Sequence, residues 1–72
     1  MTQLPPHMIR VVKEKEELDE RLTKLNLFIR TTSQFKSLYP REKLLLRRQA
    51  EVMDEYLRIL EERINSYGAD ES

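Results

Sequence analysis

Length, composition and charge exclude several classes of protein. The 72 residues can form at most one small domain, and the absence of cysteine removes disulfides as a source of stability. The formal charge is zero, from 13 basic and 13 acidic residues, which argues against a nucleic-acid binder of the basic-patch type. Because the sequence also lacks a cluster of metal ligands, we expect neither a metal nor a cofactor, and we expect self-association to supply the missing stability.

The start of the chain does not show the basic flank and apolar run of a secretion signal. No segment approaches the apolar length that a membrane span needs. We therefore expect a soluble, intracellular protein.

The first long helix is predicted from about residue 7 to 31. Pro5 and Pro6 suit its start, since proline is tolerated in the first turn of a helix. Lys15 occupies a stripe position where leucine is expected, so either its stem lies along the core or the preceding segment bends away onto another chain. The clearest apolar residues alternate steps of four and three, which places them on one helix face; they are Leu18, Leu22, Leu25 and Ile29.

A turn is predicted from about 32 to 39. The hydroxyls of Thr31, Thr32 and Ser33 compete with helical hydrogen bonds, and one short helical turn is expected to begin at Ser33. The apolar side chains that follow are predicted to plug the end of a hairpin; they are Phe35, Leu38 and Tyr39.

The second long helix is predicted from about 40 to 67, with Pro40 in its first turn, Gly68 closing it and a polar tail over 68–72. Its main stripe is predicted to comprise Leu46, Gln49, Met53, Tyr56, Leu60, Ile64 and Tyr67. A second stripe recurs every seventh residue at Leu45, Val52 and Ile59. One neighbouring helix cannot cover both stripes, so the pattern predicts a multimer.

Together these elements predict an all-α fold in a single domain, residues 1–72. A short N-terminal arm or helix precedes an antiparallel two-helix hairpin, and hairpins assemble into a compact oligomer. Seven basic residues and one acid, Glu42, lie between Lys24 and Arg48, which gives this segment a charge of +6. An antiparallel hairpin gathers these cations at its turn end, where they can bind a small anion or the acidic end of a neighbouring copy.

The sequence shows no catalytic constellation, no glycine-rich phosphate loop and no nucleophile with a base, so we expect no enzyme activity. Polar residues in or beside the apolar stripes are more informative, because burying them is unfavourable unless a partner satisfies them. Each can be a structural hydrogen-bonding residue or a ligand contact; they are Lys24, Asn26, Gln49, Tyr56 and Arg63.

A series of motifs runs through nearly the whole chain. They are LPPH at 4–7, RVV at 10–12, ELDERLTKLNLFI at 17–29, LL at 44–45 and ILEERI at 59–64, with Phe35, Leu38, Gln49, Met53 and Tyr56 between them. In this order and spacing they resemble the helical-hairpin domain of phage anti-CBASS sponges. A related hairpin is found in a Thoeris anti-defence sponge.

The resemblance implies a non-enzymatic phage protein that acts in the host bacterial cytoplasm as a homo-hexamer of interlocked protomers. Such a sponge sequesters cyclic oligonucleotide messengers and keeps the downstream immune effector silent. Cyclic dinucleotides are held between paired protomers, and some members hold cyclic trinucleotides at separate sites. Neither DNA nor a membrane is an implied partner.

The resemblance also assigns site residues. Lys24 matches the phosphate-contacting lysine of the family, and Arg10 is a further phosphate candidate by its proximity. Ile9 falls where the studied member has an aromatic residue on the base, so weaker stacking is implied. Asn26 and Arg63 fall near positions associated with the trinucleotide site. The alternative is a structural or adaptor hairpin that oligomerises and binds a protein partner through its second apolar stripe.

Overall fold

The structure is a computed structural model that describes residues 4–67, and this part of the chain contains three helices and no strand. We name them α1, Pro6–Thr31; α2, Ser33–Lys36; and α3, Pro40–Ser66. The all-α class is therefore confirmed for the described residues. The predicted helix closure at Gly68 and the polar tail lie outside them.

α1 begins with two prolines and runs without a break. Pro5 is its N-cap, and the carbonyl oxygen of Pro5 accepts hydrogen bonds from the backbone N–H groups of Met8 and Ile9 at 2.9 and 3.0 Å. Met8 and Val11 are buried in the core that α1 shares with α3. The predicted separate arm is therefore wrong for this segment, because its apolar residues continue the α1 stripe. Lys15 is half-buried in that stripe, as the first alternative for this residue required.

Thr32 ends α1 and caps α2. Its hydroxyl donates to the carbonyl oxygen of Phe28 at 2.7 Å and accepts the backbone N–H of Phe35 at 3.2 Å. These two bonds satisfy one carbonyl at the end of α1 and one N–H at the start of α2. A threonine at this position thus turns the chain and satisfies one backbone group of each helix.

Phe35 plugs the turn end of the molecule and is 3% exposed. Its ring meets that of Phe28 edge to face at a centroid distance of 6.1 Å, and the guanidinium carbon of Arg47 lies 5.3 Å from the Phe35 ring centroid. Leu38 is half-buried. Tyr39, by contrast, is 77% exposed, so its predicted place in the plug is wrong. It precedes Pro40 and holds the extended backbone that this position favours, which carries its side chain away from the core.

α1 and α3 pack side by side and run antiparallel. At the open end the rings of His7 and Tyr67 are 6.2 Å apart, whereas Phe28 and Arg47 both meet Phe35 at the turn. The buried core between the helices consists of Met8, Val11, Leu18 and Leu22 from α1 with Leu57 and Leu60 from α3. The contact agrees with the predicted hairpin, and the predicted oligomer remains a prediction.

The core stripe of α3 differs from the predicted one. Leu57 is buried and Ala50 packs against the core, whereas the predicted members Gln49 and Tyr56 are exposed. Both sets alternate steps of three and four, but a shift of one residue turns a side chain by about 100° around the helix. The observed register buries purely apolar side chains and leaves the amide and phenol in water, which avoids a desolvation cost. Tyr67, also predicted for this stripe, is exposed at 40%.

The hairpin is long and thin, with principal extents of 52 × 17 × 15 Å. Its radius of gyration is 16.3 Å, compared with about 11 Å for a compact domain of this length. Two helices side by side therefore leave much of each helix surface uncovered by the chain itself. Among the described residues, neither long helix has an apolar stretch sufficient to cross a membrane.

Candidate ligand-binding surfaces

Lys24 lies on the exposed side of α1 and pairs with Glu20. Its Nζ is 3.1 Å from Oε1 of Glu20, and the two side chains are 74% and 66% exposed. Ion pairs as exposed as this one contribute little stability, because water already solvates both charges well. Lys24 can therefore exchange the Glu20 carboxylate for a phosphate at little cost.

Ile9 and Arg10 lie in the first turns of α1, far from Lys24. Both are exposed. The helical rise places Ile9 about 22 Å from Lys24 along the helix axis. One chain therefore does not bring the implied base-packing residue to the implied phosphate contact, and a site that uses both residues needs two copies of the protein.

Asn26 lines an open groove between the helices near the turn end. The groove has a volume of about 370 Å³, and its walls are Asn26 and Ile29 of α1 with Arg47, Ala50, Glu51 and Asp54 of α3. The groove places an amide and a guanidinium beside two carboxylates. Arg63 lies in the last turn of α3, at the other end of the molecule, so one chain does not bring it to Asn26.

Arg47 was not among the residues expected to form a site. The only signal in the sequence was its membership of the basic segment between Lys24 and Arg48. Its contact with Phe35 holds the guanidinium beside the groove, which is a tertiary feature that helical spacing does not reveal.

The turn end carries cations that other side chains do not neutralise. Within residues 4–67 the ion pairs are Lys24 with Glu20 and Arg58 with Asp54. The remaining cations of the basic segment therefore have no ion-pair partner in this part of the chain; they are Arg30, Lys36, Arg41, Lys43, Arg47 and Arg48. Such a concentration of positive charge favours a small anion over a cation.

The described residues contain no group of three or more side chains placed to hold a metal ion. Fold and surfaces together define a small helical hairpin with a cationic turn end and an exposed apolar face on α3. A family model described as Sequestin matches residues 5–66, and the chain belongs to that family. The family name is consistent with a sequestering function. Searches of curated proteins and of solved structures found no significant match.

Proposed function

We propose that this protein is a phage anti-defence sponge that binds cyclic oligonucleotide messengers and holds them without degrading them. Sequestration of cyclic dinucleotides, trinucleotides or both prevents activation of a CBASS effector. Membership of the Sequestin family supports sequestration, and the ordered motifs from LPPH to ILEERI support the ligand class. The observation that carries the proposal is the cationic turn end, where Lys24 is exposed and weakly paired.

Each part of a cyclic oligonucleotide has a counterpart among the candidate residues. The Lys24 ammonium and the Arg10 guanidinium bind phosphates, since charge-assisted hydrogen bonds are stronger than neutral ones. Ile9 offers an apolar surface to a base. Asn26 and Arg63 supply an amide and a second guanidinium for a cyclic trinucleotide.

The candidate residues are too far apart within one chain to form a single site. The sites must therefore form between copies of the protein. Ile9 and Lys24 lie too far apart on one helix to contact one small ligand, and Asn26 and Arg63 lie near opposite ends of the hairpin. We therefore propose a homo-oligomer, a hexamer by the resemblance, in which neighbouring protomers complete each site. The protein would act in the cytoplasm of the infected bacterium.

A second function is favoured by the exposed apolar face of α3. Leu45, Val52 and Ile59 are about half exposed. A structural or adaptor hairpin would use this face to bind a protein partner. The two functions differ in one testable respect, because only the sponge requires a small anionic ligand.

A thermal-shift screen against cyclic dinucleotides, cyclic trinucleotides and glycocyclic ADP-ribose variants tests the sponge directly. A ligand that binds only the folded protein raises the melting temperature, and at a hundred times its Kd it adds about 2.7 kcal/mol. We expect a clear rise with one class, and recovery of the ligand intact after heating. A well-folded oligomer that responds to none of these ligands would favour the adaptor.

Glu20→Gln is expected to tighten ligand binding by up to about fivefold, because it removes the carboxylate that competes for Lys24. Calorimetry with the ligand found in the screen measures the change. Glu17→Gln is the matched control, since it removes the same charge from the same helix without a contact to Lys24. Equal changes in both variants would attribute the effect to net charge and would contradict a direct contact at Lys24.

A further inference from the structure

α3 carries a second apolar face that α1 does not cover. Each of its members directly precedes a residue of the core stripe, so the face lies about 100° around α3 from the core. Within residues 4–67 its apolar side chains remain about half exposed. Its apolar members are Leu45, Val52 and Ile59, with exposures of 51, 59 and 48%.

Gln49 and Tyr56 complete this face. They fall between the three apolar residues and restore the alternation of four and three that characterises a coiled-coil seam. Both are exposed, and Tyr56 is 40% exposed. We call the five residues from Leu45 to Ile59 the α3 seam.

Charged residues flank one edge of the α3 seam at every seventh position. They are Arg41, Arg48, Glu55 and Glu62, and all four are exposed. None takes part in the ion pairs found within residues 4–67, which involve Lys24 with Glu20 and Arg58 with Asp54. The edge is therefore basic along the first half of α3 and acidic along the second half.

When a second copy runs antiparallel, the basic half of this edge faces the acidic half of the same edge on the other copy. A two-fold axis beside Val52 sets Leu45 against Ile59 of the second copy, because the two residues are equally far from the axis along the helix. Arg48 lies four residues and Glu55 three residues from this axis, so the two side chains of opposite copies come within one helical rise of about 1.5 Å of each other, a gap that both can span. A parallel pairing would instead set each residue beside its own counterpart and bring like charges together.

The polar members of the seam follow this symmetry to within one residue. Gln49 lies three residues and Tyr56 four residues from the axis, so the amide of one copy lies close to the phenol of the other. The antiparallel register thus matches apolar, polar and charged positions to within one residue. Farther out, Arg41 is level with Arg63 of the second copy and one residue from Glu62, so like and opposite charges offset each other there and Arg48 with Glu55 is the pair that selects orientation.

We propose that α3 of one copy packs antiparallel on α3 of a second copy through the α3 seam, with Arg48 of each copy paired with Glu55 of the other.

The accessible surface area of the chain is large enough for a second copy to cover part of it. It is 6189 Å², about 1,500 Å² more than the roughly 4,700 Å² of a compact protein of this mass. A stable dimer covers about 800 Å² on each partner, which this excess accommodates. The pairing needs no ligand.

Charge reversal tests the ion pairs. Sedimentation should show that Arg48→Glu and Glu55→Arg each raise the dissociation constant of the α3 dimer about tenfold, since each sets like charges opposite one another. The double variant should return to within about threefold of the wild type, because it restores both pairs in reversed polarity. Lys13→Glu, an exposed reversal on α1, should change nothing. A monomeric wild type, or single variants that behave like Lys13→Glu, would overturn the proposal.

Thiol cross-linking tests the orientation independently. The chain has no cysteine, so Leu45→Cys and Ile59→Cys each introduce a single thiol. A short bismaleimide should join the two variants when they are mixed and re-equilibrated, and should join neither to itself, since self-pairs lie about 21 Å apart along the helix. Efficient self-linking of each variant without mixed products would show a parallel pairing and overturn the proposal.

Discussion

Leu60→Ala is expected to remove a large part of the stability of the hairpin. Leu60 is fully buried, and truncating a buried leucine costs about 2 to 5 kcal/mol through lost transfer free energy and the cavity left behind. The total stability of a domain this small is itself only about 4 to 10 kcal/mol. Urea denaturation followed by far-ultraviolet circular dichroism should show the loss, and the variant should melt far below the wild type.

Leu27→Ala is the matched control for that experiment. It makes the same truncation on α1, but Leu27 is 53% exposed. Its cost should stay within about 0.5 kcal/mol, as for other surface substitutions. Equal losses in the two variants would show that Leu27 is as buried in solution as Leu60, which requires a second chain to cover it.

Lys24→Ala is expected to weaken binding of the cyclic oligonucleotide by about 10- to 100-fold. A hydrogen bond to a charged group contributes about 1.5 to 3 kcal/mol, and each 1.4 kcal/mol is a factor of ten in affinity. Helix content and assembly should be unchanged, because Lys24 is exposed and its pair with Glu20 is a surface pair. Calorimetry measures the affinity, and sedimentation of the same sample checks the assembly.

Lys36→Ala distinguishes a direct contact of Lys24 with the ligand from the general electrostatic attraction of the cationic turn end. Lys36 is an exposed lysine of the same basic segment and is not a candidate ligand contact. Its loss should weaken binding no more than about threefold at physiological salt, where charges beyond about 8 Å are screened. Unchanged affinity in Lys24→Ala would show that the proposed phosphate contact is wrong.

Local signals in the sequence were enough to place the helices. Proline fixes the start of each long helix at Pro6 and Pro40, and the hydroxyls after Arg30 interrupt the first one. These signals act within a few residues of the boundary, so no knowledge of the partner helix is needed. The observed bounds accordingly lie within one residue of the predicted ones.

Local signals could not predict which residues of α3 face the core. From Leu46 onward the three-and-four alternation can pass through Gln49 and Tyr56 or through Ala50 and Leu57. Only the position of α1 decides between them, and that position depends on packing the whole apolar face of each helix. The outward direction of Tyr39 likewise follows from the conformation before Pro40 and not from its aromatic character.

Among the candidate ligand contacts, too, local spacing accounts for some features and tertiary packing for others. Lys24 lies on the solvated face of α1, where it pairs with Glu20 at the i, i+4 spacing that brings side chains together on any helix. The groove beside Asn26 could not be predicted, because it requires Arg47 to be held by Phe35. Sites that form between copies depend on contacts that helical periodicity within one chain does not specify.

The contacts of Phe35 favour folding that begins at the turn. Phe28 and Arg47 lie close to Phe35 along the chain, so forming this cluster closes short loops at a small cost in entropy. Met8, at the open end, meets its core partners on α3 only across a much longer loop. The hairpin is therefore expected to close from the turn outward within microseconds to milliseconds, whereas encounter with a second copy depends on concentration and comes later.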